Sequence, residues 1–360
     1  FIITIVLFIS TYIIYQQNSY MTDKKLGFDK EKVLVLERAY YLDESLESFI
    51  KELTKSPRIH SASVSNSIPG RDYSGSTLQV EGRSSVDMVF FAINYVREGY
   101  HKTMGIELID GRFFSEDFST NESSIVINKK GAEELGFENP IGKYLQLGDE
   151  KYNIIGVIEN HHFESLHKNI RPLGLRYEAS SRYDFMPIKL NTKNLNKTIE
   201  YVEAKWNEFT NNQPFNYFFM DDDFEKLYNA EQRTAKVFTI FSVLAILIAC
   251  LGLLGLSAFM AEKRTKEIGI RKAMGATPLN VLRILYKEIV VLLGISTIIA
   301  WPVTYYLMDQ WLTDFAYRIS IGILPFIFAS FTALVIAIFT TSFQAMKAAN
   351  TNPAYTLRDE

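Results

Sequence analysis

Two uncharged apolar runs, residues 237–261 and 289–308, flank a strongly basic segment, EKRTKEIGIRKAMGATP, at 262–278. At 1.5 Å per helical residue the first run reaches about 37 Å, enough to cross a hydrocarbon core of about 30 Å with some tilt. Both runs therefore read as membrane-spanning helices. Two further stretches follow the same rule. Residues 1–15 are almost entirely apolar, with Gln16, Gln17 and Asn18 marking an interface, and residues 319–346 are uncharged between Arg318 and Lys347. Within the basic segment Lys263, Arg264, Lys266, Arg271 and Lys272 stand against Glu262 and Glu267. A Lys/Arg excess in a short loop marks the cytoplasmic side. With this elbow (262–288) inside, residues 19–236 and the loop 309–318 fall outside and the tail 347–360 returns inside. The outer loop holds Asp309, Asp314 and a single Arg318, in keeping with that orientation.

A net charge of −3 and a mean hydropathy of +0.01 look like those of a soluble protein only because apolar ends and a polar middle cancel. That near-neutral balance, with no basic and aromatic groove pattern, excludes nucleic acid as a partner. Cys250, the single cysteine, sits in the middle of a span, so no intrachain disulfide can form. Phe1 already lies inside an apolar run, and the expectation is that the first span is truncated and the chain is the C-terminal half of a longer protein. A signal peptide would need a basic n-region and an A-x-A site, and neither is visible.

The large outer segment opens with an expected strand at 33–36 and a helix from Asp43 whose apolar residues Leu46, Phe49, Ile50 and Leu53 share one face. Ser56-Pro57 ends that helix, and a second strand follows at 59–65. The same order recurs before the membrane. A strand at 185–190 is followed by a helix carrying Leu195, Ile199, Val202, Trp206 and Phe209, then a strand at 215–220. Two split βαβ halves, about 26–72 and 173–220, are expected to share one sheet, because four strands with two helices on a face bury a core that two strands cannot. Residues 73–172 between them read as an inserted, mainly β subdomain, with turn signals at Glu81-Gly82, Asp110-Gly111, Gly142 and Gly148-Asp149. The fold class is thus an α-helical membrane bundle with an α+β extracytoplasmic domain.

Charge alone explains a topology signal, but not the placement of Gly269, Gly275 and the apolar teeth Ile268, Ile270 and Met274. The run EIGIRKAMGAT resembles the coupling segment of the MacB/FtsX-type permeases of ABC transporters. The pieces ELIDGRFFSEDF, SSIVINKKGAEELGFENPIGKYLQL and YNIIGVIENHHFESLHKNIRP resemble the MacB-type periplasmic core domain in order and residue type. Together they extend the resemblance over nearly the whole chain. It implies that Glu267, Ile268, Gly269, Ile270, Arg271, Lys272, Met274 and Gly275 press on a separate cytoplasmic ABC ATPase subunit. It also implies that the two halves form a porter-like part beside the inserted subdomain, and that the helix 221–233 runs without a break into the next span. The residues are compatible with such a corner. Gly275 is placed to end one helix, and Thr277 with Pro278 offers an N-cap followed by a first-turn proline.

Other candidates are weaker. GFENPIGKY, 136–144, has five residues between Gly136 and Gly142 where a phosphate loop needs four, and Tyr144 stands where Ser or Thr would hold magnesium, so a tight turn is the better reading. His161, His162 and His167 fall within seven residues but match no established zinc spacing; a packed or surface turn is expected. Asp221, Asp222 and Asp223 lack the glycine and terminal glutamate of a calcium loop and suit the start of a helix instead. No nucleophile, base and acid come together in the sequence, and neither cofactor nor metal is expected. Ala245, Ala249, Gly252 and Gly255 lie along one face of the second span, where small residues permit close helix packing, within this chain or against a second permease copy or half. Pro302 is placed to kink the third span.

The expected function is therefore that of a permease or mechanotransmission subunit in the plasma (inner) membrane, contacting lipid, for export or extraction of a substrate. The partners implied are the ATPase, a second permease copy and a periplasmic or outer-membrane component. An FtsX-like regulator of extracytoplasmic enzymes shares the elbow but normally has a smaller outer domain. A signalling receptor would require a cytoplasmic output domain beyond the elbow and tail.

Overall fold

Strand β1 (Val33–Glu37) buries Val33, Leu34, Val35 and Leu36 completely, so both faces of its sheet are covered. The structure, a computed structural model, describes residues 1–84, 86–179, 183–192, 194–263, 274 and 278–349. Two units result, Asp23–Tyr228 and the helical remainder.

In the first unit, helix α2 (Leu46–Thr54) turns Leu46, Phe49 and Leu53 inward, and strand β2 (Ile59–Ala62) follows it. The second half repeats this with β10 (Phe185–Leu190), α5 (Leu195–Thr210) and β11 (Tyr217–Phe219). Asn194 caps α5 by accepting from Lys197 N, and Asn211 ends it in the left-handed conformation at φ 54°. The sheet order is β11-β1-β10-β2, antiparallel throughout. Each half thus inserts a strand between the two strands of the other, which is why neither forms a sheet alone. Leu34 and Leu36 face α2 and α5, packing with Phe49, Val202 and Trp206. At roughly 1.5–3 kcal/mol for each large apolar side chain buried, this layer is a major source of stability. Trp206 also donates its indole N–H to Gln213 O at 3.0 Å, so its burial leaves no polar atom unpaired.

Val33 and Val35 face the other way, against a second sheet with the order β5-β8-β6-β9-β4-β3-β7. Its strands are β3 (Ser74–Val80), β4 (Met88–Tyr95), β5 (Leu108–Gly111), β6 (Ser124–Asn128), β7 (Tyr144–Leu147), β8 (Glu150–Ile158) and β9 (Leu173–Arg176), with the short helix α3 (Tyr100–Thr103) between β4 and β5. The long β8 pairs with β7 through its first residues, with β5 through its last, and with β6 on the opposite edge. Hydrogen bonding therefore returns on itself, giving a six-stranded ring with β5 as an added edge. Closing a sheet removes edges that would otherwise invite pairing with another chain. Ile125 and Ile127 point into the ring with Phe91 and Ile154, whereas Val126 points out toward Val33 and Val35. A division after residue 172 would separate β9 from this ring, yet β9 pairs with β4 and β6. Asn128 holds the junction there. Its Oδ1 accepts from Gly131 N and from Leu173 N, both at 2.9 Å, capping α4 (Lys129–Leu135) and aligning the start of β9.

Among the described residues, the second unit contains four helices long and apolar enough to cross a membrane: α1 (Ile2–Asp23), α7 (Asn229–Lys263), a third at Pro278–Leu312 and a fourth at Leu324–Ala349. The fourth touches all the others. Phe328 meets Phe8 and Tyr12 of α1, Thr340 reaches Cys250 of α7 at 3.6 Å, and Ser330 accepts from Trp301 Nε1 of the third helix at 3.0 Å. Its helix begins five residues later than the uncharged run, beyond Gly322, with Pro325 in the first turn where no intrahelical donor is lost. The third helix continues through Pro302.

Candidate functional site

The basic segment expected to form the elbow lies between α7, which ends at Lys263, and the third span, which starts at Pro278. Glu267, Ile268, Gly269, Ile270, Arg271, Lys272 and Gly275 lie outside the described residues. Met274 is described, and its side chain is 83% exposed. Pro278 occupies the first helical position, where its fixed φ suits a helix and its missing N–H costs nothing.

Along α7, the face turned into the bundle passes through the buried residues Ser242, Leu253 and Ser257. Ala245 and Ala249 border it, half-buried, and Ala245 O accepts from Thr4 Oγ1 at 3.5 Å. Gly252 and Gly255 are exposed, and a Cβ built on either meets nothing within 4 Å. Two of the four small residues therefore border the packed face, and two look away from it.

In the extracytoplasmic unit, the segments that lead to and from the membrane meet on one loop, residues 160–167. The strap after α1 comes first: Leu26 O accepts from His162 N at 2.7 Å. Gly27, at φ +79°, lies so close that a Cβ would stand 2.5 Å from Asn160 O and 2.9 Å from His161 Cα. Only glycine fits there. The Phe28 ring then packs edge-on against Phe224, 5.6 Å between centroids, and lies 6.5 Å from His161. Phe224 belongs to α6 (Met220–Lys226), which carries Asp221, Asp222 and Asp223 in its first turn, where carboxylates are favoured. Asp223 also pairs with Arg71, 3.0 Å from Nη2 to Oδ2. Tyr228 completes the site from that side, its hydroxyl accepting from Leu166 N at 3.1 Å. The expected unbroken helix 221–233 is corrected here. Helix α6 ends at Lys226, Leu227 and Tyr228 form a turn, and α7 begins at Asn229. The Tyr228 hydroxyl bond holds the chain to the loop at this point, while the Phe224 ring packs on Phe28 of the strap.

Electrostatics make the loop stiff. Glu164 accepts from Arg171 Nε at 2.7 Å and from Lys168 Nζ at 3.0 Å. Burial works against its charged form, yet these two partners outweigh burial and hold the carboxyl below its usual range. His161 is 1% exposed, and burial pushes its imidazole down to about 4, the nearby Glu159 backbone acting in the opposite sense. Among the described residues, neither of its ring nitrogens has a hydrogen-bond partner within 3.5 Å. Burial brings His162 to about 4 as well. Among the described residues no group of three or more His, Cys, Asp or Glu side chains is placed to hold a metal ion. In the segment 136–144, Gly136 caps α4, Gly142 turns at φ +83° and β7 follows. Helix, turn and strand thus succeed one another in the reverse of the order a phosphate loop uses.

Sequence reasoning missed the part played by Gln17, which is fully buried in the helical unit. Its Nε2 donates to Tyr317 O at 2.9 Å and its Oε1 accepts from Ile319 N at 3.0 Å, fastening α1 to the segment between the third and fourth helices as a β-strand partner would. An isolated glutamine at an expected interface gives no sequence signal for this.

Comparison with known proteins places two family models on the chain: a MacB-like periplasmic core domain over residues 9–205 and an FtsX-like permease C-terminal region over 239–353. Among curated relatives, the macrolide export ATP-binding/permease protein MacB of Campylobacter jejuni is 23% identical over 71% of this chain and 42% of its own length. That of Aggregatibacter actinomycetemcomitans is 23% identical over 52% of this chain and 31% of its own. The chain spans less than half the length of either. Similar solved structures include the periplasmic region of MacB from Actinobacillus actinomycetemcomitans, with 16% identity, TM-score 0.41, 56% of this chain and 95% of that one. The extracellular domain of the noncanonic ABC-type transporter YknZ from Gram-positive bacteria has 17% identity and TM-score 0.36, covering 48% and 88%.

Proposed function

We propose a function from one premise: the chain belongs to the FtsX/MacB family of ABC permeases, as a multi-pass inner-membrane protein with a periplasmic-type core domain. In this reading it is the mechanotransmission subunit that couples ATP hydrolysis by a cytoplasmic ABC ATPase subunit to movement of the core domain, for export or extraction of a substrate. The observation that carries the reading is α7. It is a single helix of 35 residues, about 52 Å at 1.5 Å per residue, running from the residue after the core domain to the edge of the basic elbow. Closure of the ATPase dimer presses the elbow, and a rod of that length passes the displacement to α6 and the core domain. Substrate need not cross the helices, because residues 237–261, 289–308 and 319–346 carry no charge that a polar pathway would use. In this reading the interlocked four-stranded sheet acts as the porter-like part and the ring as the inserted subdomain. A second permease copy and a periplasmic or outer-membrane component complete the assembly.

The elbow test uses Gly269→Trp, which blocks close docking while leaving the charge and span lengths unchanged. The variant is expected to insert normally but to lose co-purification with the ATPase and permease-dependent stimulation of ATP hydrolysis. A well-inserted variant that keeps both would reduce the elbow to a topology signal.

A further inference from the structure

We infer that the loop 160–167 is a clamp joining the two membrane-bound ends of the core domain, so that displacing the α6 end is felt at the strap after α1 through this loop in addition to the direct Phe28–Phe224 ring contact. Four features carry the inference. The strap touches the loop at its beginning, through Leu26 O on His162 N and the Gly27 backbone against Asn160 and His161. The α6 end touches it further along, through Tyr228 on Leu166 N, while Phe163 O accepts from Gly70 N at 3.0 Å. Gly70 in turn lies beneath α6, where a Cβ would stand 3.3 Å from Phe224 and 3.1 Å from Leu227. Finally, the loop is tied to the β subdomain: Glu159 N, just before it, donates to Glu107 O beside β5, and Asn160 Oδ1 accepts from Lys130 N of α4, both at 2.8 Å. Phe163 and Leu166 are 1% and 0% exposed, and close-packed groups of this kind transmit displacement instead of absorbing it. A strap and a helix end held independently would have no reason to converge on the same eight residues.

The inference rests on the transmission reading above, but its test needs neither ATPase nor substrate, so the two can fail separately. Hydrogen exchange is measured on the full chain in lipid nanodiscs. Tyr228→Phe deletes one hydroxyl at the α6 end. It is expected to speed exchange at the His162 amide, which is bonded to the strap, by about three- to ten-fold, the equivalent of one net hydrogen bond. Amides of β4 and β6 should keep their protection. The reverse variant, Gly27→Ala, pushes on Asn160 and His161 and should speed exchange in residues 220–228 by a similar factor. Unchanged exchange at His162 in Tyr228→Phe overturns the clamp. So does acceleration spread evenly over β4 and β6, which would mean general loosening and not a path between the two ends.

Discussion

His161 lies between the rings of Phe28 and Phe163, with centroids 6.5 and 5.9 Å away, and its environment favours the neutral imidazole. The sign of the pH effect follows from linkage. The folded value of about 4 lies below the ordinary 6.5, so the unfolded chain binds the extra proton between those values. Stability from this residue is fully present above pH 6.5, falls as pH drops toward 4, and changes no further below that. From pH 7.5 to 5 the loss amounts to about 2 kcal/mol for His161, at about 1.4 kcal/mol per pH step. His101, also depressed to about 4 by burial, and His162 add to the same slope, discounted for their partial exposure. Replacing His161→Phe should flatten the dependence of the melting temperature on pH. If parent and variant lose stability in parallel from pH 7.5 to 5, the imidazole is charged in the folded protein. The sequence showed three histidines within seven residues but not this apolar cage, because Phe28 is brought to it from far along the chain.

Among the elements, the fastening of α1 to the segment between the third and fourth helices gives the sharpest expectation. Gln17→Leu removes the two part-buried bonds to Tyr317 O and Ile319 N, and a net hydrogen bond contributes about 0.5–1.5 kcal/mol. The purified chain in detergent should melt several degrees lower than the parent. Gln16→Leu, on the exposed side of the same helix, should change little. Equal melting temperatures for the two variants would mean the fastening contributes nothing. Helix α7 illustrates the limit of reading an element by itself. Its length and apolar character follow from composition, whereas the face that packs depends on where α1 and the fourth helix approach it, and Gly252 and Gly255 look away from both.

For the molecule as a whole, among the described residues the large apolar clusters around Val35, Phe49 and Phe91 consist of residues of the extracytoplasmic unit. Residues 23–228 should therefore fold without the membrane helices. Expressed alone, they are expected to be soluble and to lose near-ultraviolet circular dichroism in one cooperative transition. A product with no transition would mean that the helices supply part of the core.

What the sequence by itself determined was whatever depends on neighbours along the chain. The four spans follow from runs without charge, and the split halves from the recurring strand, helix, strand order around Phe49 and Trp206. The family resemblance rests on contiguous motifs. Tertiary structure alone decided the rest, since it depends on groups far apart in sequence. The ring closes because one long strand, β8, has room for β7 and β5 on the same edge, and β9 enters it through Asn128. Gln17 acquires its role from residues 317 and 319, and loop 160–167 from Gly27 and Tyr228. Hydropathy and periodicity report which face of a segment avoids water; they carry no record of which distant backbone will come to lie against it.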